Sequence, residues 1–512
     1  MTDATTHTSA ESAALDEQPE LPAEQHPAEE LSDRLGIRER TVLVLLLIAT
    51  FVVFLNETTM SVAIPRIMDD LGVTPSTGQW LTTAFALTMA VVIPITGWLL
   101  ERVPTRPIYV SAMILFTAGT LLAALAPVFE LLIVARVIQA CGTAIMMPLM
   151  MTTVLTIVPP SQRGRIMGRI SIVMSVAPAI GPAVSGLILD FGGWRGIFWV
   201  MLPLAIVALV LGILLVPNVS VLKKVPLDAL SVLLSAFAFS LLVYGLSSFG
   251  TSAEGGGAVP AWIPAAAGAV LLALFVWRQI SLQRRDAALL DLRTFRTPVF
   301  TVASIMFAVS TVALFGLIIV FPLFMVRGLG LDELTAGLIL LPGGLAMGLL
   351  GPVIGRLYDR FGPRPLVVPG SIIAAAVFWL LAFATETTPL PALVIGHIAL
   401  SIGLSMVFTP LFAAGLGSLP RDLYSHGSAI VTTLQQVAGA AGAALFAALY
   451  SIGVLAAGAA DPITATPVEV AAGVRLAFLV GAIVILGSVV ASFFVRKPEA
   501  EEGAEASGFA GH

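Results

Sequence analysis

The 512-residue chain is 58% hydrophobic and 11% charged, with a mean hydropathy of +0.99, whereas a soluble domain carries roughly 25% charged residues. No water-soluble fold hides that much apolar surface behind so few charges, so the chain is a polytopic membrane protein, and its continuous apolar runs of about 20 residues make the spans helices and not barrel strands. The net charge of −5 comes with no basic patch for nucleic acid, and the single cysteine, Cys141, excludes an intramolecular disulfide and any cysteine-based metal or cluster site.

Residues 1–40 are polar and acidic, with Glu11, Asp16, Glu17, Glu20, Glu24, Glu29, Glu30 and Asp33. They form neither a signal nor a transit peptide and read as a disordered cytoplasmic tail. Hydropathy and the Pro and Gly breakers then place six spans at about 41–64, 78–100, 107–126, 130–157, 166–189 and 195–216, a first bundle over 41–216. Two spans, about 227–249 and 261–281, lie in an inserted segment, 217–297, with cytoplasmic linkers. Six more, about 298–326, 336–357, 365–385, 390–415, 428–455 and 472–495, make a second bundle over 298–495, and 496–512 is a second cytoplasmic tail.

Charge placement checks the number. With the amino terminus inside, 21 of the 26 Lys and Arg fall in cytoplasmic loops and four outside (Arg66, Arg195, Arg327, Arg475). Arg136 alone sits within a span. A miscounted helix scrambles that alternation, so the expectation is fourteen spans in a cell (cytoplasmic) membrane with both termini in the cytoplasm.

One loop occurs twice. Gly97, Glu101, Arg102, Arg106 and Pro107 follow span 2; Gly355, Asp359, Arg360, Arg364 and Pro365 follow span 10 at a constant offset of 258 residues. Removing the two inserted spans, about 80 residues, leaves about six helices with their loops. The architecture is therefore 6+2+6, two homologous halves flanking an inserted pair, as in transporters built from parallel repeats. An acid and arginines at a cytoplasmic helix end can bridge to a neighbouring helix terminus in one conformation, a latch; the alternative is ordinary positive-inside anchoring.

Span 4 carries Arg136-Val-Ile-Gln139-Ala-Cys-Gly142, with Arg136 and Gln139 on one helix face. An intramembrane arginine faces a cavity or a carboxylate, or else snorkels to the interface. Span 5 reads Ala177-Pro178-Ala-Ile-Gly181-Pro182-Ala-Val-Ser185-Gly186, small residues at spacing four with two helix-bending prolines. Such a span is a bendable gasket between the halves, or simply a tightly packed helix. These motifs, with the doubled loop, resemble the major facilitator superfamily, specifically its fourteen-helix drug:proton antiporters, over about residues 40–496. Gly355–Arg364 is similar to the superfamily's loop 2–3 signature, Arg136–Gly142 to its R-x-x-Q-G-x-G, and Pro178, Gly181, Pro182 and Gly186 to its antiporter motif. The resemblance implies a major facilitator fold, export by proton antiport with alternating access, and no cofactor.

Span 1 holds the one acid deep in the bilayer, within Phe54-Leu-Asn56-Glu57-Thr-Thr-Met-Ser-Val-Ala-Ile-Pro65. Asn56 stands where the fourteen-helix family usually has Asp, and an Asn-Glu version resembles its lincomycin-efflux-like branch. Glu57 and Arg136 lie at matching depth, about 10 Å in at 1.5 Å per residue, so a Glu57–Arg136 interaction, direct or through Gln139, is expected. Asn56, Gln139, Gln435 and Gln436 are the expected cavity polar groups; the last two replace an Arg-Gln pair common in the wider family. The alternative for Glu57 is a structural, hydrogen-bonded acid. His397 in span 12 reads as a packing residue. An enzyme would need clustered nucleophiles, His ligands or paired carboxylates, and an ATP-driven pump a phosphate loop; neither pattern is present. The reading is a monomeric exporter that meets amphipathic small molecules, protons and lipid, with a dedicated exporter of one endogenous metabolite or lipid as the alternative.

Overall fold

A computed structural model describes residues 36–219, 222, 226–252, 260–285, 287–460 and 464–496. The acidic tail up to residue 35 and the tail beyond 496 lie outside the described residues. Bilayer hydrocarbon offers no partner to backbone N–H and C=O groups, and the chain meets that constraint with helices throughout. They are α1 (Ile37–Leu71), α2 (Trp80–Arg102), α3 (Thr105–Ala124), α4 (Phe129–Ile157), α5 (Arg163–Leu215), α6 (Ala229–Ser252), α7 (Trp262–Gln283), α8 (Pro298–Leu323), α9 (Glu333–Phe361), α10 (Arg364–Leu381), α11 (Leu390–Gly417), α12 (Tyr424–Ala456) and α13 (Pro467–Ser492).

Among the described residues, 13 helices are long and apolar enough to cross a membrane. One of them is two crossings. Helix α5 runs for 53 residues, about 80 Å at 1.5 Å per residue, more than twice the length of one span. Gly193 breaks it with φ 60° and ψ −171°, a backbone that glycine alone adopts at low cost. The arms 163–192 and 194–215 are therefore separate spans, and the expected fourteen result.

Local chemistry sets the other ends. Pro298 and Pro467 open α8 and α13, where a missing N–H costs nothing. Thr466 and Glu469 form a capping box on α13, with the Thr466 amide donating to Glu469 Oε2 at 2.7 Å. Asp332 caps α9 by accepting from the Thr335 amide at 2.9 Å.

Within the first group of six spans, α1 lies along α5, α3 on α4 and α5, and α2 on α4; in the second, α8 and α13 flank α12, and α11 packs on α9 and α10. The groups meet through α5 with α9 and α11, and through α12 with α2 and α4. Outward faces are apolar, as at Phe191, Trp277 and Ile395, and suit lipid.

The inserted helices α6 and α7 pack on each other, and α6 also lies against α2 and α12, one helix from each group. Asp228 clamps the pair, accepting from Arg278 Nε and Nη2 at 2.7 Å each, and from the Ser231 amide at 2.9 Å. Gln279 extends the network, donating to Ser231 Oγ at 2.8 Å and accepting from the Leu289 amide at 2.7 Å, which ties down the linker to α8. The Arg278 guanidinium, helped by Ser231, holds the Asp228 carboxyl well below the usual carboxylate range. A depressed carboxylate stabilises fully above its unfolded pKa, and the contribution is lost only as pH falls through the lowered folded value. Asp228→Asn is thus expected to cost about 2 kcal/mol at neutral pH, read as a lower thermal midpoint in detergent, with the acid limb flattened. An unchanged midpoint would contradict the clamp.

Candidate functional site

Two charges sit inside the first group. Arg136, in the second turn of α4, is 1% exposed, which rules out snorkelling. Its Nη1 donates to Gln139 Oε1 at 2.7 Å, its Nε lies 3.5 Å from the Leu81 carbonyl, and its Cζ stands 4.1 Å from the Phe85 ring centroid. Gln139 Nε2 donates to Thr120 Oγ1 at 2.9 Å, and Thr120 donates to the Phe116 carbonyl at 2.7 Å. The i,i+3 spacing of Arg136 and Gln139 therefore becomes a direct bond, and α3 supplies Thr120, which the sequence did not single out, to lock it.

Glu57 on α1 is only partly buried. It acts on Arg136 through space, and among the described residues no carboxylate lies within ion-pair distance of Arg136. Gln139 accepts from Arg136 and donates to Thr120, and among the described residues no hydrogen bond joins it to Glu57. The neighbour Asn56 is 1% exposed with both amide atoms unpartnered, and Gln139 is fully buried. Of the four expected cavity groups, only Gln435 and Gln436 keep open surface, and Gln436 reaches Met89 Sδ across the groups at 3.5 Å. His397 stacks on Phe321 at 5.7 Å.

Thr120→Val keeps shape and removes the anchor of Gln139. It is expected to cost about 1 kcal/mol in thermal stability. Thr117→Val, one turn away and without a hydroxyl partner, is expected to cost nothing. Equal losses would show that the Gln139–Thr120 bond does not hold the pair.

The second part of the site is the seam between the groups, tight at the arginine-rich ends of the helices. Here α5 and α9 approach through small residues, facing Gly164, Gly168, Val176 and Ala179 against Gly355, Gly351, Gly348 and Gly344. The antiporter-motif residues occupy another face. Gly181 sits against Thr58 of α1, Ser185 Oγ donates to the Thr59 carbonyl at 2.8 Å, and no atom would meet a Cβ on Gly186. Pro178 and Pro182 lie within a continuous helical arm. The signature face thus packs on α1 inside its own group, while another face of α5 meets α9.

Both copies of the doubled loop reach across the seam to a helix start. Asp359 accepts from the amides of Gly164 and Arg165 at 2.7 and 2.8 Å, the first turn of α5. Glu101 accepts from Ser425 Oγ at 3.2 Å and lies 3.4 Å from His426 Nε2, the first turn of α12. Gly97 lies beneath His426. The arginines turn aside: Arg102 stands over Trp98, Arg360 over Phe361, Arg106 donates from its backbone to Asn218 at 3.1 Å, and Arg364 is exposed at the start of α10. Residues outside the expected latch complete the contact across the seam. Arg163 is buried and donates to Tyr424 Oη at 2.9 Å, and two hydroxyl pairs, Thr152–Ser428 and Ser171–Thr409, cross at 2.6 Å.

Residues 46–443 match the Major Facilitator Superfamily. The chain belongs to that superfamily. It is 40% identical to lincomycin resistance protein LmrB of Listeria monocytogenes, over 90% of this chain and 98% of that protein. It is 37% identical to LmrB of Bacillus subtilis, over 89% and 95%. A multidrug resistance protein B homolog of Mycobacterium tuberculosis is 31% identical over 82% of this chain and 77% of its own. The crystal structure of the human organic anion transporter MFSD10 (TETRAN) superposes with a TM-score of 0.63 at 15% identity, over 89% of this chain and 99% of that one, which shows the shared fold. As a superfamily member with many membrane helices, the chain is a transporter and not an enzyme.

Proposed function

We propose that the chain exports amphipathic small molecules across the cytoplasmic membrane in exchange for protons, with Glu57 carrying the proton and Arg136 its fixed countercharge. The observation that carries this is the electrostatic interaction of a half-buried carboxylate, Glu57, with an arginine locked by Gln139, Thr120 and Phe85. A rigid cation beside a carboxyl that water can reach lets the carboxyl trade its proton for a cationic or polar ligand without the site collapsing. The resistance proteins named above support a drug-like, amphipathic cargo. The arginine-rich end faces the cytoplasm by the positive-inside rule, both termini with it, so the seam described here is the cytoplasmic gate in its shut state. The two loop copies act as its latches, and the unit works as a monomer in lipid. Drug-stimulated proton movement in inside-out vesicles tests the reading. The expected result is proton release on drug addition that disappears with the gradient collapsed; a drug response indifferent to the gradient would overturn antiport.

A further inference from the structure

Several arginines near helix ends are matched locally. Arg195 pairs with Asp70, Arg278 with Asp228 and Arg293 with Asp291, while Arg102 and Arg360 stand over aromatic rings. Three others differ. Arg40, in the first turn of α1, and Arg165 and Arg169, in the first two turns of α5, are exposed. Helix α1 lies along α5, and Arg40 and Arg165 both act on Arg169 through space. Among the described residues no acid forms an ion pair with any of these three side chains, and no ring stacks on them. Like charges held side by side on two packed helices repel, and a shared anion offsets that repulsion.

Their helix faces are the ones a bilayer covers. Arg40, Val44 and Ile48 recur at spacing four, and Val44 and Ile48 are 44% and 46% exposed. On α5 the face of Arg165 and Arg169 returns about five turns later, at 3.6 residues per turn, in exposed Ala183 and Leu187. Each helix therefore presents an apolar, lipid-facing stripe headed by arginine.

We infer that Arg40, Arg165 and Arg169 bind the headgroup phosphate of one anionic phospholipid, whose acyl chains lie on Val44 and Ile48. Guanidinium forks match phosphate oxygens, and basic pockets between membrane helices recognise anionic headgroups. The apolar stripe directly beyond the arginines selects a lipid over a free phosphate. Positive-inside anchoring accounts for an arginine in each loop, but not for three unmatched ones on two touching helices. Both helices belong to the first group, so the site does not depend on the position of the gate or on what drives transport. Its effect is cohesion: the phosphate replaces repulsion by attraction between α1 and α5, at the turn whose Gly164 and Arg165 amides hold Asp359.

The test is native mass spectrometry of the purified protein, titrated in detergent with phosphatidylglycerol or with phosphatidylcholine of the same acyl chains. Each basic residue near an anionic headgroup is worth about fivefold in affinity, so the first phosphatidylglycerol is expected to bind at least about tenfold more tightly than phosphatidylcholine. The double change Arg40→Gln with Arg169→Gln is expected to remove that preference; Arg165 is kept, because its amide belongs to the Asp359 latch. Arg284→Gln with Arg285→Gln, the same charge change at the exposed end of α7, is expected to leave the preference in place. Phosphatidylglycerol should also raise the thermal midpoint of the wild type and of the α7 variant, but not that of the Arg40, Arg169 variant. Equal affinity of the wild type for the two lipids overturns the inference, whatever the variants do to folding. So does a preference that survives Arg40→Gln with Arg169→Gln, or one lost in both double variants, which is general charge attraction. Displacement of the lipid by millimolar glycerol phosphate overturns it too, by making a soluble phosphate the occupant.

Discussion

Glu57→Gln is expected to lower gradient-driven efflux at least tenfold. A tenfold loss corresponds to about 1.4 kcal/mol of coupling, less than the difference between a carboxylate and a neutral amide beside a buried arginine. Shape changes little, since Gln is isosteric with Glu. The change is electrical. Arg136 stays in place, because Gln139, the Leu81 carbonyl and Phe85 hold it without help from Glu57. The pocket then keeps a permanent uncompensated cation, which repels cationic drugs and has no proton to exchange for them. Glu57→Asp, shorter by one methylene, should retain part of the activity. Transport and proton movement are measured in the same vesicles. Full, pH-coupled efflux by Glu57→Gln would remove Glu57 from the mechanism and leave it a structural acid.

How much of this was readable in the chain follows from the range of each interaction. Span number was readable because hydropathy and the placement of arginines are local quantities, and even the merged helix α5 splits where the two expected spans part. The Arg136–Gln139 bond was readable too, since i,i+3 on one helix is a fixed geometry. Thr120 was not, because its role depends on α3 packing against α4. The seam shows the same boundary. The doubled loop announced two acids at helix ends but not their partners, because Ser425, His426 and the Gly164 amide lie hundreds of residues away. The small-residue pattern 177, 181, 185 identified a close-packing helix, yet close packing does not say against what. The structure turns that face to α1 and gives the seam a second set of small residues a few positions away. Asn56 is the sharpest case. It occupies the position where the resemblance expects the acid, and it is buried with both amide atoms unpartnered, while Glu57, about 100° round the helix, is half-buried.

Gly355→Ala should unlatch the gate without unfolding the protein. A Cβ at residue 355 would lie 2.0 Å from the Gly164 carbonyl oxygen, and a carbon and an oxygen in contact need about 3.3 Å. The obstacle is backbone, so no rotamer relieves it, and α5 and α9 must part by about 1 Å at that level. Asp359 is four residues further on, and its bonds to the Gly164 and Arg165 amides, at 2.7 and 2.8 Å, stretch out of range with the same movement. Two charge-assisted hydrogen bonds lost together amount to about 3 kcal/mol, which moves the shut-to-open ratio by about 100-fold. Neither group's own interior contains this contact, so the thermal midpoint should move far less than the gate. Two other glycines bracket the result. Gly212→Ala places a Cβ 1.9 Å from the Tyr109 ring inside the first group and is expected to lower the midpoint strongly; Gly186→Ala meets no atom within 4 Å and is expected to do nothing. The distance between spin labels at exposed Thr156 and Leu357 in a Cys141→Ala background, and detergent melting, taken on all three variants, separate gate from fold. A Gly355→Ala protein with the wild-type distance would mean that the glycine seam does not set the shut state, and that closure rests on Arg163, the hydroxyl pairs and Glu101 alone.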